Sequence, residues 1–259
     1  MRIQRIGYTP LKGGRHQAHD AVELGPDGPA GDRTFCLVDR ARGRVLRTIQ
    51  NPSLVQARVR WYAGVLTVDL PRRTVEGSPA PTGERVRVDY WGREADLELQ
   101  DGPWAAAYSE HLGFEVALAR VARAGEVVYG APVSLVTTSA LRRLGERLGA
   151  AVDPARFRAT VVVDTLDGDP VASGSAGHPE DGWHGRRLRL GVAQVQVRGA
   201  IPRCAVVDLD PDKGVRDLPV LRELTGYRQH QDGPLFGVDA VVTAPGTVRA
   251  GDPVELERD

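Results

Sequence analysis

The sequence predicts a mainly β protein with a few helices, an α+β chain in two parts. Three observations predict it. Short valine-rich runs that alternate apolar and polar residues recur along the chain, as in Val86-Arg87-Val88 and Val195-Gln196-Val197. Thirty glycines and 18 prolines punctuate these runs, as many tight turns require. Only two stretches, 103–112 and 138–148, carry helix signals at both ends. With 259 residues, 41% of them hydrophobic, the chain has enough material for one large domain or two small ones.

Taken in order, residues 2–7 are expected to form a first strand, followed by a turn that carries Lys12. Ala21–Leu24 is a second strand, broken by Gly25-Pro26-Asp27-Gly28-Pro29. Residues 31–39 enter a strand through the charged pair Asp32-Arg33, and the apolar run Phe35-Cys36-Leu37-Val38 predicts a buried, inert Cys36. A hairpin turn at 40–43 leads to Arg44–Arg47. Gln56–Trp61 and Val65–Leu70 are strands, 71–83 a loop, and Glu84–Tyr90 a half-buried strand. The first helix, 103–112, has Pro103 at its start and Gly113 after its end. The second, 138–148, puts Leu141, Leu144 and Leu148 on one face, with Thr138 or Ser139 as cap and Gly149 as stop. A boundary falls in the intervening segment, so the predicted domains are 1–121 and 122–259. Strands return at 160–164, 187–190, 193–197, 204–209 and 238–242. A short amphipathic turn or helix is expected at 218–224, and a turn and last strand at 245–254. The Gly-, Ser- and Asp-rich loop 167–182 is expected to be mobile.

Charge narrows the function classes. Lys and Arg total 34, as do Asp and Glu, so no global basic field favours nucleic acid or an anionic membrane. No run approaches the roughly 20 apolar residues of a spanning helix. The N-terminus has no secretion signal, and the two cysteines, Cys36 and Cys204, make no disulfide framework; a reducing, cytoplasmic setting is expected.

Chemistry concentrates at Gly199-Ala200-Ile201-Pro202-Arg203-Cys204. A strand leads in, Pro202 interrupts it, and a thiol follows a guanidinium. A nearby positive charge favours the thiolate, which is both nucleophile and metal ligand. A lone cysteine is more often a small buried hydrophobe, so the neighbouring sequence must decide. His16 and His19, in a polar loop beside Asp20, lack the further ligands of a metal site and are expected to be solvated. His178, His184 and His230 are loop histidines suited to acid–base work near neutral pH. Asp181 beside Trp183 either borders a pocket or caps a turn. There is no P-loop, no dinucleotide glycine motif and no CxxC, and Gly174-Ser175 is not set between strand and helix as a nucleophile elbow.

An ordered series then resembles a known family. It runs Arg156-Phe157-Arg158, Glu180-Asp181-Gly182-Trp183, Pro202-Arg203-Cys204, Asp208 to Gly214, Leu221 through Tyr227-Arg228, Pro234-Leu235-Phe236-Gly237, and Pro245 to Val254. This series resembles the MOSC domain, named after the C-terminal part of molybdenum cofactor sulfurase. Tyr8 to Lys12, Gly31 to Phe35 and Gln50-Asn51-Pro52 are similar to the β-barrel domain that precedes it in the amidoxime-reducing family. The resemblance implies an N-terminal β subdomain packed on a MOSC β-barrel, and a molybdopterin cofactor whose molybdenum is held by the thiolate of Cys204. It assigns cofactor contacts to Lys12, Arg33 and Arg158, with Thr160 and Arg203 beside them. Arg binds a phosphate bidentately and Lys as a point charge, and a soft thiolate suits a transition metal. The sequence departs from the family pattern at Gly13, Ile49, Ala159-Thr160 and Gly182.

Three functions are therefore expected. The first is a molybdenum-cofactor oxidoreductase acting on an N-hydroxylated small molecule, with a separate electron-transfer protein as partner. The second is a metal-free enzyme that uses Cys204 as nucleophile or sulfur carrier on a small acidic or cysteine-derived substrate. The third is a cofactor carrier without turnover.

Overall fold

In the computed structural model, which describes residues 1–165 and 177–257, β-strand is the predominant regular structure. The first strands are β1 (Arg2–Tyr8), β2 (Gln17–His19), β3 (Ala21–Gly25), β4 (Gly28–Pro29), β5 (Phe35–Asp39) and β6 (Arg44–Val45). Next come β7 (Arg58–Tyr62), β8 (Val65–Leu70), β9 (Arg73–Gly77), β10 (Ala80–Tyr90), β11 (Arg93–Asp101) and β12 (Ala117–Val121). The second half contributes β13 (Val133–Thr137), β14 (Val161–Asp164), β15 (Arg187–Leu190), β16 (Ala193–Pro202), β17 (Leu235–Ala244), β18 (Gly246–Arg249) and β19 (Val254–Leu256). The helices are α1 (Trp104–Leu112), α2 (Thr138–Leu148) and α3 (Val220–Arg228).

Alternation places one face of each strand inside. In the N-terminal part β10, β11, β12, β5 and β6 close a barrel, and β7, β8 and β9 form a three-stranded meander. Leu11, Phe35, Leu37, Leu66, Trp104 and Tyr108 share one buried cluster there. Trp104 anchors it by donating from Nε1 to the Leu66 carbonyl at 3.2 Å. The rest of the molecule is an eight-stranded sheet ordered β19-β15-β16-β17-β13-β14-β1-β2. A small sheet, β18-β3-β4, shares its core, where Val22, Leu24 and Val248 meet Ile3, Ile6 and Val195. A separate cluster joins α2 and α3 through Ala140, Leu144, Leu224, Phe157 and Phe236. The chain crosses between the two parts at its start: β1 pairs with β14, with Ile6 opposite Val161.

Several expectations are corrected. The predicted loop 71–83 holds β9 and the first residues of the long β10. Val75 is buried opposite Val68, and Thr74 donates its hydroxyl to Asp69, so local pairing overrides the loop-like composition. The cap of α2 is Thr137, one residue earlier than expected, whose hydroxyl accepts from the Ala140 amide at 3.2 Å. Gly149 ends that helix in the left-handed conformation, as expected. The short helix expected at 218–224 is α3, which runs on to Arg228. Residues 205–208 are a 3-10 turn rather than part of a strand. The Asp208 carboxylate accepts from the Leu221 amide at 2.7 Å, and the Leu209 amide bonds the Val206 carbonyl, which winds the segment. Of the loop 167–182, residues 167–176, with Gly174 and Ser175, lie outside the described residues; Pro179–Trp183 is a 3-10 turn.

Candidate functional site

The structure brings three of the expected residues together. Lys12 follows β1, Arg33 precedes β5, and Arg158 closes the 3-10 turn Pro154–Phe157. All three are half-buried, and each bears electrostatically on another: Arg33 and Arg158 both act on Lys12, and Arg33 acts on Arg158. Two of them have left-handed backbones, Arg33 at φ 47° and Arg158 at φ 52°. Non-glycine residues seldom adopt that region, and where they do, strain tends to sit at binding sites. The Arg33 amide donates to the Thr9 carbonyl at 2.8 Å and the Arg158 amide to the Ala155 carbonyl at 3.1 Å, which holds both backbones.

Counter-charge is scarce. Asp32 pairs with Arg33 at 2.5 Å and also accepts the Thr9 amide at 3.2 Å. Arg158 spends one N–H on the Gly14 carbonyl at 2.8 Å. The Arg33 Nε and the Arg158 Nη2 are buried without a hydrogen-bond partner. Burial, then Arg33 and Arg158, hold the Lys12 amine well below its ordinary range. Burial, then Arg33, brings Arg158 down to about 10. Clustered like charges with unused donors are what a polyanion would compensate, since buried donors are normally satisfied.

Cys204 is exposed and free, and it caps the 3-10 turn Ala205–Asp208. Cys36 is fully buried, and burial pushes its thiol up to about 12. A small cavity lined by His16, Val55, Arg158, Val206 and Pro211 connects the turn after Cys204 to Arg158. The loop beyond that turn is pinned to the N-terminal part. Arg15 pairs with Asp212 at 3.0 Å, and Gln56 donates to the Lys213 carbonyl at 2.8 Å. Gly214, at φ 72°, lies where a Cβ would stand 2.3 Å from the Pro52 carbonyl oxygen.

Arg203 faces inward. It donates to the Phe236 carbonyl at 2.7 Å and the Phe157 carbonyl at 3.1 Å, and its guanidinium lies 5.3 Å from the Phe157 ring centroid. Its Nη2 has no partner, and a Cβ on Gly237 would come within 3.2 Å of it. Thr160 is buried and tied to Ser134: its hydroxyl accepts the Ser134 amide at 3.1 Å, and its amide donates to the Ser134 hydroxyl at 3.1 Å. Its side chain holds β13 beside the start of β14.

Sequence reasoning missed two groups. His16 is buried rather than solvated, with Nδ1 3.2 Å from both terminal nitrogens of Arg5. Burial, then Arg158 and Arg5, hold it well below 6.5. The folded form is thus neutral while an unfolded chain takes up a proton below about 6.5. Its contribution to stability is present above that pH and is lost as pH falls toward the folded value. Urea unfolding at pH 7.5 and 5.5 should therefore show an acid-side loss that His16→Gln reduces. The second group is Glu180, fully buried, which accepts from Thr137 at 2.6 Å and lies 3.7 Å from the buried His178. It also acts electrostatically on Arg203. Asp181 next to it pairs bidentately with Arg228, at 2.6 and 2.7 Å. Among the described residues, no group of three or more His, Cys, Asp or Glu side chains could hold a metal. His16 and His19 are part of no such group.

Known proteins resemble the chain in both parts. The family model for the MOSC domain matches residues 107–255, and that for the MOSC N-terminal beta barrel domain matches residues 1–110. Mitochondrial amidoxime-reducing component 1 of Homo sapiens is 33% identical over 135 residues, covering 48% of this chain and 36% of that protein. Mitochondrial amidoxime reducing component 2 of Bos taurus is 25% identical over 296 residues, covering 98% of this chain and 84% of that protein. Among solved structures, the YUAD protein from Bacillus subtilis aligns over 98% of this chain and 94% of its own, at 12% identity and a TM-score of 0.46.

Proposed function

The chain belongs to the MOSC domain family, with the MOSC N-terminal beta barrel domain ahead of it, and from that premise we propose that it is a molybdenum-cofactor-dependent reductase of small N-hydroxylated molecules. The observation that carries this reading is the cluster of Lys12, Arg33 and Arg158, short of counter-charge and with unused buried donors. An amidoxime carries an N-hydroxyl, and curated relatives are named for reducing one.

The residues present fit such a cofactor. Arg33 and Arg158 would hold its phosphate with the donors they leave unpaired, and Lys12 would add a point charge. Cys204, exposed two residues before Val206, which lines a cavity with Arg158, would ligate the metal through Sγ, and Arg203 would fix the strand end that presents it. When bound, the cofactor supplies a metal centre able to exchange two electrons with a substrate. Converting N–OH to N–H consumes two electrons and two protons and releases water. A separate redox protein would deliver the electrons. The Asp32 pair of Arg33 and the Gly14 hydrogen bond of Arg158 hold two of the three cations before any ligand arrives, which limits the ordering lost on binding.

The test is compositional. Protein made in a host that synthesises the cofactor should contain about one equivalent of molybdenum and release a fluorescent pterin on oxidation. Protein with neither would remove the reductase reading and leave Cys204 as a nucleophile or sulfur carrier.

A further inference from the structure

The run of cations does not stop at Lys12. The Lys12 Nζ lies 5.1 Å from the Tyr90 ring centroid, and the Arg93 guanidinium lies 5.1 Å from the same ring. Tyr90 is fully buried, yet its hydroxyl has no hydrogen-bond partner. Arg33, Arg93 and Arg47 all bear electrostatically on that phenol. The Nε of Arg47 is buried without a partner, as is the Nε of Arg33. Three unused polar groups, on Arg33, Tyr90 and Arg47, thus lead from the cluster toward the surface.

At the surface they meet two rings. Trp91 is 46% exposed and Tyr129 is 66% exposed, with centroids 6.2 Å apart. The Arg47 guanidinium lies 4.3 Å from the Trp91 ring centroid while its Nη2 pairs with Asp89 at 2.7 Å. Arg93 donates to the Glu126 and Val128 carbonyls at 3.1 and 2.5 Å, which ties the segment bearing Tyr129 to the hairpin bearing Trp91. Single exposed aromatics are ordinary; two brought together from distant segments, beside unpaired buried donors, need a reason.

The backbone supplies a second oddity. Trp91 and Gly92 are the two central residues of the β10–β11 hairpin, at φ 58° and 78°. That turn favours Asn, Asp or Gly at its first position, because both central residues are left-handed. A bulky tryptophan there is strained, and strain of this kind gathers at ligand clamps.

We propose that Trp91, Tyr129, Arg47 and Arg93 form a nucleotide subsite continuous with the Lys12–Arg33–Arg158 cluster. Phosphates lie along the cations, where arginine donors suit phosphate oxygens. The base stacks on Trp91, a contact any nucleobase can make, and arginine adds a cation–π share. The subsite rests on reading the cluster as a phosphate site. One ligand chemistry, a nucleoside phosphate, has two sources here: a nucleotide joined to the cofactor's own phosphate, or a free nucleotide.

The experiment uses the cofactor-free full chain and three probes, inorganic pyrophosphate, ADP and GDP, titrated calorimetrically. Pyrophosphate should bind, and both nucleotides should bind at least about 10-fold more tightly, the scale of one base–aromatic stack. Trp91→Asn should remove the nucleotide advantage and leave pyrophosphate binding unchanged. Asparagine suits the left-handed position, so this variant should melt at the same or a higher temperature, and its lost binding is not misfolding. Absence of pyrophosphate binding overturns the phosphate reading of the cluster and this proposal with it. Pyrophosphate binding with no nucleotide advantage, or an advantage that survives Trp91→Asn, overturns the subsite alone. Nucleotide released by denaturing protein from a cofactor-producing host, equimolar with molybdenum, assigns the subsite to the cofactor. Nucleotide released without molybdenum assigns it to a free nucleotide.

Discussion

Replacing Cys204 by serine is expected to abolish reductase activity, by more than roughly 100-fold, without lowering the melting temperature. Changes to groups that merely support a metal ligand already remove 10- to 100-fold, and a hydroxyl is a far poorer soft-metal ligand and a weaker nucleophile at neutral pH than a thiolate. The fold should tolerate the change because Cys204 is exposed and surface substitutions usually stay within about 0.5 kcal/mol. Cys36→Ala should do the reverse. Its side chain is fully buried within the barrel cluster of Val38, Tyr90 and Leu97, so the variant should lose about 1 kcal/mol and keep its activity. Alkylation separates the two directly. Iodoacetamide on the cofactor-free protein should modify Cys204 first, since burial holds the Cys36 thiol near 12. A fully active Cys204→Ser protein, or faster labelling at Cys36, would end the assignment.

Lys12→Ala, Arg33→Ala and Arg158→Ala should each weaken cofactor retention by about 1.5–3 kcal/mol, the range for hydrogen bonds to charged groups. Molybdenum content after dialysis measures it, and unchanged content in all three would mark the cations as ordinary surface charges. The cofactor-free protein should respond in the opposite sense at Lys12. Its amine titrates well below 10.5 in the fold, so the unfolded chain binds the extra proton between those two values. Stability of the empty protein should therefore rise with pH through that interval, and Lys12→Ala should flatten the rise. Loading with cofactor should remove the effect as well, because the anion supplies the missing counter-charge. Chemical denaturation of empty and loaded protein at two alkaline pH values distinguishes these outcomes.

Patterns that act locally were readable before the structure. The alternation in Glu84–Tyr90, the leucine stripe of 138–148 with Gly149 after it, and the apolar surroundings of Cys36 each state their outcome within a few residues. Misreadings came where a distant partner decides. Thr74 and Val75 are the exception: their partner is the adjoining strand β8, and the Gly, Ser and Pro that follow them masked a local pairing. Nothing in Lys12-Gly13-Gly14-Arg15-His16 marks His16 for burial; Arg5 and Arg158 close over it from other elements. Residues 205–208 read as a strand until Asp208 reaches the start of α3. Thr160 follows Arg158 closely in sequence, but its hydroxyl is committed to Ser134. The cation cluster itself was reached by resemblance, whereas the left-handed backbones of Arg33 and Arg158 belong to the structure alone, since only Gly, Asn or Asp would have announced them.

The crossing of β1 into the large sheet bears on how the chain reaches its fold. Ile6 finds Val161 only after the whole N-terminal barrel has been made, and closing so long a loop is entropically unfavourable, though the penalty grows slowly with length. At ribosomal rates of about 5–20 residues per second, β1 waits roughly 8–30 s for β14 to be synthesised. In that interval β2 can cover one edge of it, while the edge that β14 will cover is open to pairing with other chains. The arginines at positions 2 and 5 alternate with Ile3 and Ile6 along this strand, and charges so placed act as gatekeepers against aggregation while the nascent sheet is incomplete.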